Sequence, residues 1–239
     1  MRKEIIHCFQ NEVLPHLEKV MIRKNLLILG GSVREPEIDI IRSIYGDVNL
    51  QFVGIDGSYV ENYRFDYLDF NQFNSTIEIE FDAEIALCTG VVEHLWNLHA
   101  MFQNFQMLLK HKSLLWISFP VSQYPHGSPE WYGAGYSPEM IKKIGELFGF
   151  RAILTGHTGN RRNYLFRHIL HIWPELGGDV MWLYRWPLFS YIPREGSFLR
   201  KLFYQFSSIP ARMILQFSSK KSTDDLLNAT VGYVLFERA

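Results

Sequence analysis

The sequence predicts a doubly wound α/β fold around a mostly parallel sheet of seven strands. Two observations carry that expectation. Short continuous apolar runs ending in glycine or an acid, NLLILGG and LQFVGID among them, suit strands buried on both faces of a parallel sheet. These runs alternate with longer segments whose apolar residues recur at helical spacing, the pattern of strand–helix–strand units. A basic, aromatic-rich stretch then separates the last strand from the rest.

The chain of 239 residues is 47% hydrophobic and 21% charged, which supports a buried core and excludes overall disorder. It reads as a single domain spanning 1–239. Lysine and arginine number 24 against 25 acids, so no global positive excess marks a nucleic-acid binder. The two cysteines, Cys8 and Cys88, form no CxxC pair. A disulfide scaffold and a zinc site are both disfavoured, no metal is expected, and a reducing cytoplasm is the expected compartment. Glu4 and Glu12 interrupt the N-terminal stretch where a signal peptide needs apolar residues. No run reaches the roughly 18 apolar residues of a spanning helix, and MWLYRWPLFSYI is broken by Arg185 and Pro187.

The elements follow in order. Ile6, Phe9, Val13, Leu17 and Val20 predict a leading amphipathic helix over 4–22. Asn25 to Leu29 is the first strand, ending at Gly30-Gly31. Pro36 opens a helix that buries Ile38, Ile41, Ile44 and Tyr45 and stops at Gly46. Leu50 to Asp56 is the second strand, and Tyr63 to Leu68 the third, ending near Asp69. Ala83 to Cys88 is the fourth. Leu98 to Leu109 is a helix with Met101, Phe102, Phe105, Leu108 and Leu109 inward. Leu114 to Phe119 is the fifth strand, stopped by Pro120. Ser137-Pro138-Glu139 starts a helix with an N-cap serine and a proline in first position; its buried side is Met140, Ile144, Leu147 and Phe148. Ala152 to Leu154 is the sixth strand. Val231 to Glu237, arriving late, is expected at the far edge of the sheet.

Between the last two strands, residues 157–222 hold ten Lys/Arg and three acids, a net +7, which leaves −8 for the rest of a chain whose total is −1. Pro174, Gly177, Gly178, Pro187 and Pro193 break this stretch, which reads as an inserted cap or lid. Phe198, Leu202, Phe206 and Ile209 share a helical face, with Arg200 and Lys201 elsewhere. A basic amphipathic helix over 196–217 either covers its own core or lies on an anionic membrane surface, here the inner face of the membrane.

In an open α/β sheet, ligands sit beyond the carboxyl ends of the strands. Gly30-Gly31-Ser32 lets backbone approach a ligand, and the helix start that follows offers free N–H groups to an anion; the same pair also suits a tight turn with no ligand. Asp56, in the turn pair Asp56-Gly57, can accept both hydroxyls of a ribose. The two signals in that order point to a bound nucleoside. A nicotinamide dinucleotide is less favoured, because GGSVRE is not GxGxxG and Arg34 stands where the third glycine would be.

At FDAEIALCTGVVEHLWN the chain resembles the fourth-strand region of class I S-adenosylmethionine-dependent methyltransferases, Rossmann-like proteins in which a Phe-Asp pair opens this strand and a Glu-His pair follows it. The spacing to LLILGG, FVGIDGS and LLKHKSLLWISFP is similar to that family, as is SPEMIKKIGELFGF. The resemblance covers roughly residues 24–156 and the last strand, and is strongest over 81–120. It implies S-adenosyl-L-methionine as cofactor. Gly30 and Gly31 would lie against its methionine part, Asp56 would hold the ribose, and Asp69, with Asp66 as second choice, would meet the adenine amino group. Thr89, Gly90 and Val91 would line the floor of the transfer site, with Glu93 and His94 beside it. Two positions depart from the family. Ile28 replaces the acid within the first strand, and Ser32 is the third residue of the glycine loop. Glu35 is placed to substitute for the missing acid, or is a solvated helix-start acid.

Residues 121–136, VSQYPHGSPEWYGAGY, follow the fifth strand, where an acceptor would enter. The texture resembles bacterial methyltransferases of sugars and sugar-linked intermediates. His126 is the candidate general base, with His94 as its rival and Glu93 nearby. No Asn-Pro-Pro-Tyr pattern follows the fourth strand, which disfavours adenine or amide acceptors and, with the acidic body, nucleic acid. The expected partner is a small-molecule or glycan acceptor, including a lipid- or phosphate-linked intermediate, modified at a hydroxyl or amine. The degenerate glycine loop keeps a second reading open: a methyltransferase-like binding or assembly subunit without turnover. The oligomeric state is not encoded in any pattern found.

Overall fold

The computed structural model describes residues 2–31, 35–54, 64–75, 81–121, 135–158 and 231–239. In chain order these form α1 (Arg2–Cys8), a π-helical turn (Phe9–Val13), α2 (Leu14–Leu17), β1 (Asn25–Leu29), α3 (Pro36–Tyr45), β2 (Asn49–Gly54), β3 (Arg64–Tyr67), β4 (Ile85–Thr89), a 3-10 turn (Val92–His94), α4 (Leu98–Leu108), β5 (Leu114–Pro120), α5 (Pro138–Leu147), β6 (Phe150–Thr158) and β7 (Val231–Arg238). The described residues of Met1–Thr158 and Ala229–Ala239 belong to one unit. The predicted insertion begins inside β6, since His157 and Thr158 are strand residues. Its remainder, with the expected amphipathic helix over 196–217, lies outside the described residues.

The strands form one mixed sheet in the order β3-β2-β1-β4-β5-β7-β6. β1 pairs in parallel with β2 and β4, β2 with β3, and β4 with β5. The apolar runs are buried on both faces, as their composition predicts. Leu27, Leu29, Ala86, Cys88, Leu115, Ile117 and Phe236 pack under α4 and α5. Leu26, Ile28, Ile85, Leu87, Leu114, Trp116 and Leu235 pack against the N-terminal helices and α3. Both cysteines are free and buried, and burial pushes the Cys8 thiol up to about 12, so it stays protonated at neutral pH.

Three expectations are corrected. The last strand is not the edge: β7 lies between β5 and β6 and is antiparallel to both. Its first six residues are buried, which requires neighbours on both sides. β6, half-buried along most of its length and carrying Arg151, His157 and Thr158, has the polar character of an edge strand. Second, the leading helix does not run to residue 22. The ring of Pro15 and its missing N–H cannot continue an α ladder. The chain widens into the π turn, where the Leu14 N–H donates to the Phe9 carbonyl, and helix ends at Leu17. Phe9, Val13 and Leu17 remain buried.

Third, the buried stripe of α5 is Ile141, Ile144 and Gly145, while Met140 and Leu147 face solvent. Gly145 decides this: a Cβ there would lie 2.6 Å from Cζ of Phe236. Only a bare glycine lets the helix approach β7 on that side. Ile44 of α3 is likewise exposed, whereas Ile38 and Ile41 are buried. The Ser137 hydroxyl accepts from the Met140 N–H at 3.2 Å, as an N-cap should.

Candidate functional site at the strand carboxyl ends

The carboxyl ends of β1 and β4 are drawn together by one contact. Gly30 turns the chain at φ +69, and its N–H donates to the Val53 carbonyl of β2 at 2.7 Å. A Cβ on Gly30 would lie 2.8 Å from Cγ2 and 2.9 Å from Cγ1 of Val91, so the two turns pack backbone against side chain. Gly90, also left-handed at φ +66, bonds through its N–H to the Ser118 carbonyl of β5 at 3.0 Å. Each strand end is thereby tied to its neighbour.

A buried carboxylate stands at each turn. Glu35 has the extended backbone of a helix N-cap, but its side chain makes no cap bond to α3. It leans toward the glycine turn, its Oε1 3.7 Å from where a Gly31 Cβ would be. Glu93, in the first turn of the 3-10 segment, is 3% exposed. Its Oε1 lies 3.8 Å from the corresponding point on Gly90. Burial and then the Glu93 charge raise the Tyr136 phenol above its ordinary range. Tyr136 donates its N–H to the Pro120 carbonyl at 3.0 Å, which holds it at the end of β5. The buried Thr89 hydroxyl has no hydrogen-bond partner among the described residues.

Asp69, beyond β3, is used locally. Its Oδ1 accepts from the Asn71 N–H at 2.9 Å and its Oδ2 from the Gln72 amide at 3.0 Å. Three asparagines clamp this loop to α4. Asn71 Oδ1 accepts from the N–H groups of Trp96 and Asn97 at 2.8 and 3.2 Å, and the Asn97 amide donates back to the Asn71 carbonyl. Fully buried Asn104 accepts from the Asn74 N–H and donates to the Gln72 carbonyl. Sequence reading missed all three. Asn97 alone left a signal, as the N-cap residue of α4 that accepts from the Ala100 N–H.

Of the predicted site residues, Gly30, Gly31, Glu35 and Val91 are brought together, with Thr89, Gly90, Glu93 and His94 on the β4 turn. Asp69 stands on the neighbouring loop, and Asp66 is in β3 opposite Val53. Ser32, Asp56, Gly57 and His126 lie outside the described residues. Among the described residues, no group of three His, Cys, Asp or Glu side chains could hold a metal ion. No helix among them is long and apolar enough to cross a membrane.

No protein-family model and no curated protein sequence matches the chain. Solved structures do. A protein from Galdieria sulphuraria described as a sarcosine dimethylglycine methyltransferase is similar over 98% of this chain and 84% of its own, with 13% identity and a TM-score of 0.53. A SAM-dependent methyltransferase from Archaeoglobus fulgidus is similar over 99% and 94%, with 13% identity and a TM-score of 0.51. At such identities the likeness is one of fold. The chain has the fold of class I S-adenosylmethionine-dependent methyltransferases.

Proposed function

We propose that the protein is a methyltransferase that takes S-adenosyl-L-methionine as donor. The observation that carries this reading is the pairing of the two glycine turns through Gly30 and Val91, with a buried carboxylate beside each. The donor is cationic at its sulfonium and its ammonium, and two carboxylates in a low-dielectric site favour such charge. The bare Gly30-Gly31 turn leaves room for the methionine part, Glu35 replaces the acid missing from β1, and the orphan Thr89 hydroxyl supplies a polar contact on the floor. Bound there, the donor supplies an electrophilic methyl group.

The chain's own residues then have distinct tasks. Asp56 holds the ribose, and Asp69, on its asparagine-clamped loop, meets the adenine. Ser32 and Gly57, next in the chain to Gly31 and Asp56, are assigned to the same cofactor site. His126, or His94 beside Glu93, takes the proton of an acceptor hydroxyl as its oxygen attacks. We assign the acceptor to the sugar-type class, a glycan intermediate carried on lipid or phosphate included, through the aromatic loop 121–136, while the missing Asn-Pro-Pro-Tyr pattern and the acidic body disfavour nucleic acid. The basic segment 196–217 provides a peripheral contact with the inner face of the membrane.

Calorimetry with S-adenosylmethionine and its demethylated product tests the reading. Saturable binding is expected, weakened in a folded Asp56→Ala by about 1–3 kcal/mol, the scale of charge-assisted hydrogen bonds left unmade. His126→Ala should keep that affinity and lower turnover roughly 10²–10⁴-fold. Absence of binding at millimolar cofactor would overturn the proposal in favour of a binding or assembly subunit without turnover.

A further inference from the structure

At the opposite end of the sheet, where β1, β4 and β5 begin, a cleft of about 300 Å³ opens between the three turns that precede those strands. Lys19 and Arg23 line it from the first turn, Asp82 and Glu84 from the second, Lys110 and Lys112 from the third. Four cations thus face two carboxylates, and both carboxylates are already engaged. Buried Glu84 accepts the N–H of Arg23 at 2.8 and 2.9 Å, of Ile22 at 3.1 Å and of Asn25 at 3.3 Å. Asp82 is bridged by the Lys110 ammonium at 2.8 Å and by the Arg23 guanidinium.

What remains is a surplus of two positive charges. Among the described residues, neither the Lys19 nor the Lys112 ammonium has a carboxylate partner. Lys112 is held in place by its backbone: φ is +70, and its N–H donates to the Arg238 carbonyl at 2.8 Å. Ile22, on the same lining, is 82% exposed and adds an apolar contact to the charged cleft. A volume near 300 Å³ is at the small end of ligand sites.

We propose that this cleft binds a phosphate monoester. The phosphate dianion matches the surplus charge and offers several acceptor oxygens to the ammonium groups, while Ile22 meets the organic part of the ester. The same chemistry is offered by a soluble phosphate ester and by the headgroup of phosphatidic acid.

The experiment titrates the full-length protein with glycerol 3-phosphate at constant ionic strength, follows the melting temperature, and uses glycerol as the neutral control. Lys19→Gln/Lys112→Gly removes both unpaired cations, and glycine suits the left-handed backbone at 112. Lys142→Gln/Lys143→Gln on α5 removes the same charge elsewhere. A saturable rise in melting temperature is expected, with affinity at least about tenfold weaker in the first double variant, the scale of one lost charge-assisted hydrogen bond. The α5 variant should match the unaltered protein. A non-saturating response, or equal weakening by both lysine pairs, would overturn the proposal. Should the double variant not fold, Lys19→Gln alone must still weaken binding, and an unchanged affinity there would overturn the proposal equally. Sedimentation with phosphatidic acid against phosphatidylcholine vesicles separates the sources. Retention lost with the lysines assigns the lipid, and ester binding with retention absent, or unchanged by the lysine variant, assigns the soluble ligand.

Discussion

Gly30 shows how much of the site rests on single residues. Its φ of +69 is strained for any L side chain, and its missing Cβ makes room for Val91. Gly30→Ala should therefore destabilise the fold by about 1–3 kcal/mol through overpacking alone, with left-handed strain added. Urea denaturation checks this, and in a Val91→Ala background the same change should cost less. Equal costs in both backgrounds would remove the steric contact from the account. The carboxylates at 35 and 93 differ in how readable they were. A Glu-His pair after a predicted strand drew notice to Glu93 from sequence. Nothing local could show that Glu35 turns away from its own helix toward Gly31.

Elements were more legible than their orientation. The core strand runs appear where two-faced apolar sequences placed them, because burial on both sides leaves a local compositional mark. Helix faces were harder. In α5 the stripes 140–144–147–148 and 141–144–145–148 both satisfy helical spacing, and hydrophobicity favoured the first. The structure uses Ile141, Ile144 and Gly145 because closeness to Phe236, not apolar content, sets the rotation. Gly145→Ala should accordingly destabilise the protein, although alanine is the better helix former by about 1 kcal/mol. Overpacking against Phe236, about 1–3 kcal/mol, outweighs that gain. A thermal melt in which this variant gains stability would refute the docking argument.

At the largest scale, charge among the described residues differs between the two ends of the sheet. Glu35 and Glu93 stand beside the glycine turns of the carboxyl end, while four cations outnumber Asp82 and Glu84 around the amino-end cleft. The amino end also carries a pH-dependent contribution to stability. Hydrogen bonds from Lys110 and then Arg23 hold the Asp82 carboxyl below the usual carboxylate range. A depressed folded pKa means stability that is present above the unfolded value, about 4, and is lost as pH falls through the folded one. Asp82→Asn should be less stable than the unaltered protein at neutral pH, and the difference should shrink in strongly acidic solution. Urea midpoints at pH 7 and pH 3 measure it, and a pH-independent difference would exclude Asp82 as the source.

The α/β class, the order of strands and helices along the chain, the capping of α5 by Ser137 and the glycine turns on which the site is built are all legible in the amino-acid chain. Each of these is written in residues close together, where steric limits and the burial of a short segment act directly. Long-range packing set the position of β7 between β5 and β6 and the side of α5 that meets the sheet. It also packed the turn that carries Glu35 against the one that carries Glu93 through Gly30 and Val91, and gathered four cations and two engaged carboxylates around the amino-end cleft. Those outcomes depend on contacts between residues far apart in the chain, whose energies have no counterpart in any local pattern.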